Sequence, residues 1–225
     1  MQIKKVLKEI LVLFLIILGI STLFRIYKIS DISMNYTLVE GDFVVVDNFS
    51  IGIHFPSFPL FFWDKHIWSN EKNIKRGDIL VFRYKLDPRL YIKRCVALPG
   101  DLIFQKEKNL FLQIQANSKK TLKFAKELNL KLVRIKNSWW IKNPYKKFYS
   151  VVHDERVIGP KELINIPIQK IPPHSYFFMG DFRDNSTDSR FFGPIEYDYI
   201  YYKVRFIFKK SRNINTLGKI RNLKS

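Results

Sequence analysis

The chain has 225 residues, of which 47% are hydrophobic and 26% charged, and a formal net charge of +19. This composition excludes a disordered or fibrous chain, and the length allows a membrane segment plus one core of roughly 150 to 200 residues. The single cysteine, Cys95, excludes an internal disulfide, and no Cys/His metal-ligand spacing is present. The charge favours an anionic partner, and since no nucleic-acid recognition motif occurs, we expect membrane lipids rather than nucleic acid.

The first predicted element is a membrane anchor over residues 6–24, within an N-terminal segment 1–28. An uncharged run extends from Ile10 to Phe24, and a helix of about 19 residues spans ~28 Å, close to the hydrocarbon thickness of a bilayer. Basic residues are slightly more numerous before the run than after it, which favours a cytoplasmic N-terminus. A cleavable signal peptide and a buried core helix are the alternatives, but no small-x-small cleavage site follows the run.

Most of the remaining chain predicts β-strands. Four stretches rich in Val, Ile, Phe and Tyr are bounded by Gly-Asp or Pro-Gly turn residues. We therefore predict a mainly β, antiparallel domain with a short helix within residues 117–130. The four predicted strands are residues 41–49, 77–84, 91–98 and 199–208.

Three further stretches have an unusual composition. Residues 53–68 are rich in aromatic side chains, and they either fold over the core or dip into the bilayer interface. Residues 101–150 contain 12 Lys or Arg and 3 Asp or Glu, which predicts an inserted subdomain with a basic face. Residues 209–225 contain 6 Lys or Arg and no acid, a composition typical of a frayed basic tail.

Ser33 is a candidate nucleophile, but a serine hydroxyl needs a neighbouring base to remove its proton. On a strand, Tyr91, Lys93 and Cys95 share one face. If that face is buried, desolvation lowers the pKa of the Lys93 amine, and the neutral amine can accept the serine proton. The alternative for Lys93 is a surface position on an edge strand.

Residues 180–195, with the sequence GDFRDNSTDSRFFGPI, form the third part of the candidate site. A loop so dense in charges and turn formers is either a metal site or is braced by internal ion pairs. The alternation of aspartates and arginines favours Arg–carboxylate pairing. Ser186 lies within this loop, where its hydroxyl could orient the lysine amine.

Taken together, four blocks of the sequence resemble the bacterial type I signal peptidases, the leader peptidases that use a Ser-Lys dyad. The blocks occur in the family's order and cover about a quarter of the chain; they are residues 33–53, 76–84, 91–101 and 180–195. The resemblance implies a signal-peptidase-like antiparallel β catalytic domain, an inserted smaller β-rich subdomain and one N-terminal transmembrane helix. The implied divisions are an anchor at 1–28, a catalytic domain at 29–101 and 180–208, an insertion at 102–179 and a tail at 209–225.

The resemblance also implies an activity, namely removal of signal peptides from exported preproteins after a small-x-small motif, without metal or cofactor. The catalytic domain would lie on the periplasmic side of the bacterial inner membrane, with preprotein signal peptides and membrane lipids as partners. Ser33 would be the nucleophile, with its backbone N–H in the oxyanion hole, and Lys93 the general base. Ser186 would orient the lysine, and Asp188 and Arg190 would brace the site as an ion pair. The walls of the pockets for small substrate residues would be Met34, Leu38, Tyr91 and Ile92.

Three positions depart from the family's pattern. Tyr36 replaces a proline, and Phe182 replaces an asparagine. Asp31 stands where many members have a serine that donates a second hydrogen bond to the oxyanion, and where others have glycine. An ionised Asp31 would repel the oxyanion, and losing one such donor costs ~2.7 to 4 kcal/mol in the transition state. We therefore expect Asp31 to be turned away, to be protonated, or to leave the enzyme slow or specialised.

Two related functions remain as alternatives. The first is a specialised peptidase of the same fold, such as one that matures conjugative pilus subunits, which only the substrate range would distinguish. The second is a weakly active homologue that binds signal peptides without cutting them. The cytosolic self-cleaving repressors also use Ser-Lys chemistry, but the predicted N-terminal span argues against them.

Overall fold

The structure is a computed structural model, and it describes residues 2–54, 66–146, 151–154, 156, 159–209 and 220–222. Most of the aromatic stretch and most of the basic tail lie outside these residues, so the predictions for those two stretches stay predictions.

The described helices are α1 (Gln2–Leu23), α2 (Ser118–Glu127), α3 (Lys161–Ile164) and α4 (Ser189–Phe192). The described strands are β1 (Phe24–Lys28), β2 (Phe43–Asp47), β3 (Gly52–His54), β4 (His66–Ser69), β5 (Ile79–Tyr84), β6 (Asp87–Ala97), β7 (Leu102–Lys106), β8 (Asn109–Gln113), β9 (Leu132–Ile135), β10 (Ser138–Lys142), β11 (Ile166–Lys170), β12 (Ser175–Met179), β13 (Ile195–Glu196), β14 (Ile200–Phe208) and β15 (Ile220–Asn222).

Helix α1 covers the predicted anchor and leads directly into β1. Its sequence is dominated by Leu, Ile and Val, and the side chains of residues 5–15 are exposed. Within the part of the chain that the structure describes, no helix combines the length and the apolar character needed to cross a membrane. The membrane span over residues 6–24 therefore stays a prediction.

The larger sheet is antiparallel and has the strand order β1-β2-β14-β5-β6-β12-β13, with β15 paired to β14. The mainly β, antiparallel fold class is confirmed, and the four predicted strands correspond to β2, β5, β6 and β14. The helix predicted within residues 117–130 is α2. It begins after Asn117, whose side chain accepts a hydrogen bond from the backbone N–H of Lys120 and so caps the helix.

The central strands of the larger sheet are covered by apolar cores on both faces. On β5, Ile79 and Val81 belong to one core, whereas Leu80 and Phe82 belong to the core on the opposite face. This double burial explains why the central strands are almost continuously apolar instead of alternating between apolar and polar residues. A charged residue on such a strand is forced into the interior, and Lys93 of β6 is one.

The smaller sheet has the order β11-β7-β8-β10-β9, and β3 pairs with β4 in a separate hairpin. The smaller sheet shares a core with the ends of β6 and β12, in which Ile103 and Leu112 lie with Val96 and Phe177. Strand β12 falls within the predicted insertion at 102–179, yet it pairs with β6 in the larger sheet. All five of its residues are buried, so it is a central strand of the larger sheet. Along the chain, β11 is therefore the last strand of the smaller sheet.

The candidate site lies where β12 leaves the larger sheet. Met179 at the end of β12 pairs with Arg94 of β6. The chain then turns away at Gly180, and Lys93, the preceding residue of β6, is no longer covered by β12. The loop that begins at Gly180 and the segment that carries Ser33 cover Lys93 in place of β12.

Candidate active site

The segment that carries Ser33 is a tight turn held by apolar side chains. Met34 and Leu38 are fully buried, and the Leu38 N–H donates to the Met34 carbonyl at 2.8 Å. Because four residues form about one helical turn, both side chains enter the same core. This anchoring holds Ser33 at the edge of that core, with 3% of its surface exposed.

The structure brings Ser33 and Lys93 together, although they are 60 residues apart in the chain. Lys93 Nζ lies 2.5 Å from Ser33 Oγ, and Lys93 is 1% exposed. Burial lowers the pKa of the Lys93 amine, while the charges of Asp31 and Asp188 oppose this effect. A lowered pKa increases the neutral fraction of the amine, which is the form that can accept the Ser33 proton.

The register of β6 explains the burial of Lys93. Lys93 lies opposite Leu80 of β5, on the face that also carries Tyr91 and Cys95. The Lys93 Nζ is 5.7 Å from the centre of the Tyr91 ring. Cys95 is fully buried, and burial raises the pKa of its thiol well above the usual value, so it supplies no thiolate nucleophile.

Ser186, Asp188 and Arg190 form a buried network beside Lys93. Arg190 Nε and Nη2 each donate to Asp188 at 2.8 Å, and Ser186 Oγ donates to Asp188 Oδ2 at 2.7 Å. Burial acts to raise the pKa of Asp188, but the Arg190 charge and these hydrogen bonds hold it below its usual value. The Ser186 proton is thus directed to the Asp188 carboxylate, a strong acceptor, and the expected role of Ser186 in orienting Lys93 stays a prediction.

Gly180 allows the two loops to approach each other closely. The backbone N–H of Phe182 donates to the Ser33 carbonyl at 3.0 Å. A β-carbon at position 180 would lie 2.5 Å from that carbonyl oxygen, and it would also overlap the side chain of Ser186. Only glycine fits here, a requirement that the sequence did not reveal because Gly180 is one of several turn formers in its loop.

Thr37, Arg94 and Asp181 form a second, largely buried network that the sequence motifs did not predict. Arg94 Nε and Nη2 donate to the two Asp181 oxygens at 2.8 and 2.5 Å, and both side chains are fully buried. Thr37 Oγ1 donates to Asp181 Oδ2 at 2.5 Å. The network therefore ties the Ser33 segment to β6 and to the 180–190 loop. Its sequence signal is an arginine directly after Lys93, in a stretch of β6 that is otherwise apolar and buried on both faces.

Asp31 contacts Ser33 directly. Its Oδ1 accepts a hydrogen bond from the Ser33 N–H at 3.0 Å, and its Oδ2 accepts one from Ser33 Oγ at 3.1 Å. Burial acts to raise the pKa of Asp31, but the charge of Lys93 and the hydrogen bonds from Ser33 lower it below its usual value. Asp31 is therefore ionised at neutral pH and turned towards the nucleophile, so two of the three expected outcomes, protonation and a turned-away side chain, are wrong.

The four residues expected to line substrate pockets divide into two pairs. Tyr91 and Ile92 are half-buried and so retain surface that a substrate can contact. Met34 and Leu38 have no exposed surface, which differs from the expectation of pocket walls. Their side chains anchor the Ser33 turn in the core, so they leave no surface that a substrate could contact.

Two of the departures from the family's pattern contact each other. Tyr36 has a φ angle of 73°, a left-handed conformation that a proline ring cannot adopt. The Tyr36 ring packs edge-on against Phe182, with the ring centres 5.9 Å apart. The turn after Ser33 therefore has a different backbone from one built on proline, and the contact with Phe182 supports it.

Comparisons with known proteins identify the family to which the chain belongs. The model of the family described as signal peptidase, peptidase S26, matches residues 3–209. A signal peptidase I of Pseudomonas fluorescens is 35% identical over 187 residues, which cover 80% of this chain and 59% of the relative. A signal peptidase I of Pseudomonas aeruginosa is 31% identical over 192 residues with the same two coverages. The chain thus spans 59% of the length of these two relatives.

A signal peptidase I of Buchnera aphidicola subsp. Acyrthosiphon pisum is 29% identical over 244 residues, which cover 89% of this chain and 76% of the relative. A crystal structure of a signal peptidase I from Enterococcus faecalis V583 aligns with 56% of this chain and 92% of its own, at 21% identity and a TM-score of 0.30. That score is too low to support an argument about the fold.

Proposed function

Because the chain belongs to the signal peptidase family of S26 peptidases, we propose that it is a serine endopeptidase that removes signal peptides from exported preproteins after a small-x-small motif. The observation that carries the proposal is the contact of 2.5 Å between Lys93 Nζ and Ser33 Oγ, with both residues buried. A buried lysine next to a serine hydroxyl can itself act as the base, so that no histidine is required.

The reaction follows from this geometry. Neutral Lys93 accepts the hydroxyl proton while Ser33 Oγ attacks the carbonyl carbon of the scissile peptide bond. The resulting ammonium of Lys93 donates that proton to the departing amine, so the peptide bond breaks and an acyl ester remains on Ser33. Lys93, neutral again, then accepts a proton from water as the water attacks the ester. The ester bond breaks, the new carboxyl terminus leaves, and Lys93 returns the proton to Ser33 Oγ.

The surrounding residues position this pair. The Ser33 N–H is a donor for the oxyanion that forms on the substrate carbonyl. The Asp188–Arg190 ion pair holds the 180–190 loop against Lys93, and the Phe182 N–H holds the Ser33 carbonyl. These roles depend on a fixed backbone, because a misplacement of about 1 Å can reduce a rate about 100-fold.

Cleavage of a preprotein by the purified full-length chain in detergent tests the proposal. Ser33→Ala and Lys93→Ala should each reduce cleavage by at least about 1,000-fold, since each removes one member of the proton-transfer pair. Lys93→Arg should be equally inactive, because arginine keeps the charge but does not deprotonate. Mass spectrometry of the products would show whether the cut follows the small-x-small motif.

Ser30→Ala and Lys28→Ala are matched controls, because both residues are exposed and lie shortly before Ser33. They should cleave at the wild-type rate. Cleavage that persists in the Ser33 and Lys93 variants would contradict the proposed mechanism.

We further propose that the chain is anchored once in the bacterial inner membrane, with the catalytic domain on the periplasmic side. The uncharged run of α1 supports the anchor, and an apolar surface on the larger sheet supports contact with lipid. On that surface Ile26 of β1 and Phe206 of β14 both flank Val45 of β2, and they are 68% and 38% exposed. Quenching by spin-labelled lipid of a probe attached at Ile26→Cys would test this contact, and an unquenched probe would contradict a role for the sheet.

A second candidate, a homologue that binds signal peptides without efficient cleavage, is favoured by the contacts of Asp31 with the Ser33 hydroxyl and N–H. The same preprotein experiment separates the two. A wild-type chain that binds the preprotein and leaves it intact supports the binding function. Cleavage with repeated turnover supports the peptidase.

A further inference from the structure

The Asp31 carboxylate accepts hydrogen bonds from both groups of Ser33 that the reaction needs. Its Oδ1 accepts the Ser33 N–H at 3.0 Å, which is the group proposed to bind the oxyanion. Its Oδ2 accepts the Ser33 hydroxyl at 3.1 Å, so it competes with Lys93 for the proton that must be transferred. Lys93 Nζ lies 3.7 Å from the same oxygen. A negatively charged oxygen therefore already lies where the reaction will generate one.

We propose that Asp31 is a displaceable internal ligand of Ser33, which holds the active site in an inactive resting state until a substrate carbonyl displaces the carboxylate. The proposal rests on the peptidase function proposed above. It assigns Asp31 a positioning role that opposes catalysis, because its carboxylate contacts the nucleophile only in the resting state.

The environment of Asp31 allows this displacement. The Asp31 side chain is 60% exposed, whereas Asp188, the other carboxylate that acts on Lys93, is fully buried. Ser33 is held independently of Asp31, by the burial of Met34 and by the hydrogen bond from Phe182 to its carbonyl. The carboxylate can therefore rotate into solvent without moving the nucleophile.

The charge of Asp31 also acts on Lys93. Among the residues that the structure describes, the charged groups with the largest effect on the Lys93 amine are Asp31, Asp188 and Arg190, and the Tyr91 ring lies on the same face. Asp188 is balanced by its ion pair with Arg190, so Asp31 is the negative charge that is not balanced by an arginine in this group. A negative charge favours the ammonium form of Lys93 and so opposes the neutral form that serves as a base.

Two substitutions separate the charge from the shape of the side chain. Asp31→Asn keeps the shape and can still accept the Ser33 N–H, so the turn is retained while the charge is lost. Asp31→Ser shortens the side chain and supplies a hydroxyl that can donate to the oxyanion. We expect both variants to raise kcat/KM, and Asp31→Ser to raise kcat about tenfold or more, because one oxyanion donor is typically worth about 100-fold or more in kcat.

The pH profile gives a readout that a purely structural role would not change. The reaction needs neutral Lys93, so kcat/KM rises as the pH rises through the pKa of this amine. Removing the negative charge at Asp31 makes deprotonation easier, so the acidic limb of the profile should move to lower pH in both variants. Glu40→Gln is the matched control, because Glu40 is exposed and is not among the charges with the largest effect on Lys93; it should leave kcat and the limb unchanged.

A titration of the Lys93 amine by NMR, with lysine labelled at Nζ and Lys93→Arg used for assignment, tests the contact without any cleavage. In Asp31→Asn the amine should titrate at lower pH than in the wild type. Thermal melting of each variant shows whether it is folded. If Asp31→Ser does not fold, Asp31→Asn, which keeps the shape of the side chain, still tests the proposal.

The outcomes for the internal ligand and for the peptidase differ. A gain in kcat/KM together with a shifted acidic limb supports the internal ligand, as does an inert wild type with an active Asp31→Ser. Wild-type cleavage with folded Asp31 variants that are no faster and have an unmoved limb overturns the internal ligand alone. A wild type and variants that are all inert overturn the peptidase function, and the internal ligand with it.

Discussion

Two loops flank Lys93, and they are held in place by different interactions. In the 180–190 loop, Asp181 and Asp188 are fully buried, and each is paired with an arginine. In the segment 31–38 the anchors are apolar, and its own carboxylate, Asp31, is largely exposed. The first loop is therefore braced by charges that cannot leave the interior, whereas the second carries a charge that can.

The difference indicates a division of roles within the site. Buried ion pairs lose much of their stabilisation when a partner moves, so the 180–190 loop acts as a rigid support. The Ser33 segment is attached to that support through the hydrogen bonds of Thr37 to Asp181 and of Phe182 to the Ser33 carbonyl. The Asp31 side chain, in contrast, is exposed and has no arginine partner that would hold it in the interior. The three following predictions test this division, beginning with the largest effect.

Asp181→Ala should destabilise the fold by about 3 to 5 kcal/mol, because it leaves the fully buried Arg94 without its carboxylate partner. It should also lower kcat, since Thr37 loses its acceptor and the Ser33 segment its attachment. Urea unfolding would measure the stability, and preprotein cleavage would measure kcat.

Asp154→Ala is the control for Asp181→Ala. It removes the aspartate of an exposed ion pair with Arg156, and such pairs contribute little to stability. If Asp181→Ala unfolds at the same urea concentration as the control, the buried pair is not the support described above.

Gly180→Ala should destabilise the fold by about 1 to 3 kcal/mol, because overpacked positions force the surrounding backbone to shift. The shifted atoms would be the Ser33 carbonyl and the Ser186 side chain, so kcat should fall while KM changes less. Steady-state kinetics at several preprotein concentrations would separate the two constants.

Gly100→Ala is the comparison for Gly180→Ala, because Gly100 has a φ angle of 84° but no atom within 4 Å of a β-carbon at that position. It should lose some stability through backbone strain alone and keep the wild-type kcat. An equal loss of kcat in both variants would show that the effect does not depend on contact with Ser33.

Tyr36→Pro should have the smallest effect, about 1 to 2 kcal/mol, because the left-handed conformation at this position is closed to proline. Although it restores the residue of the family's pattern, it should lower kcat by loosening the turn after Ser33. Tyr36→Gly should be close to the wild type in stability, since glycine adopts this conformation readily while the contact with Phe182 is lost. Thermal melting of both variants would measure the difference, and a Tyr36→Pro variant more stable than the wild type would contradict the described turn.

Much of the fold and part of the candidate site could be predicted from the sequence. Apolar runs bounded by turn residues predicted β2, β5, β6 and β14, because such runs have few ways to bury their side chains other than a sheet. Ser33 and Lys93 were identified as a candidate pair from their residue types and from the blocks in which they lie. Strand β12, in contrast, was assigned to the insertion, since the sequence of a buried strand does not indicate which sheet the strand joins.

The partners of each polar side chain were decided only by the tertiary structure. Ser186 donates to Asp188, Thr37 reaches Asp181 across 144 residues of sequence, and Asp31 turns towards Ser33. A hydrogen bond depends on distances of a few tenths of an ångström between distant parts of the chain, and residue types do not specify such distances. The sequence established which chemical groups the site has, and the packing of two loops around Lys93 established which of them are buried in ion pairs and which one stays exposed.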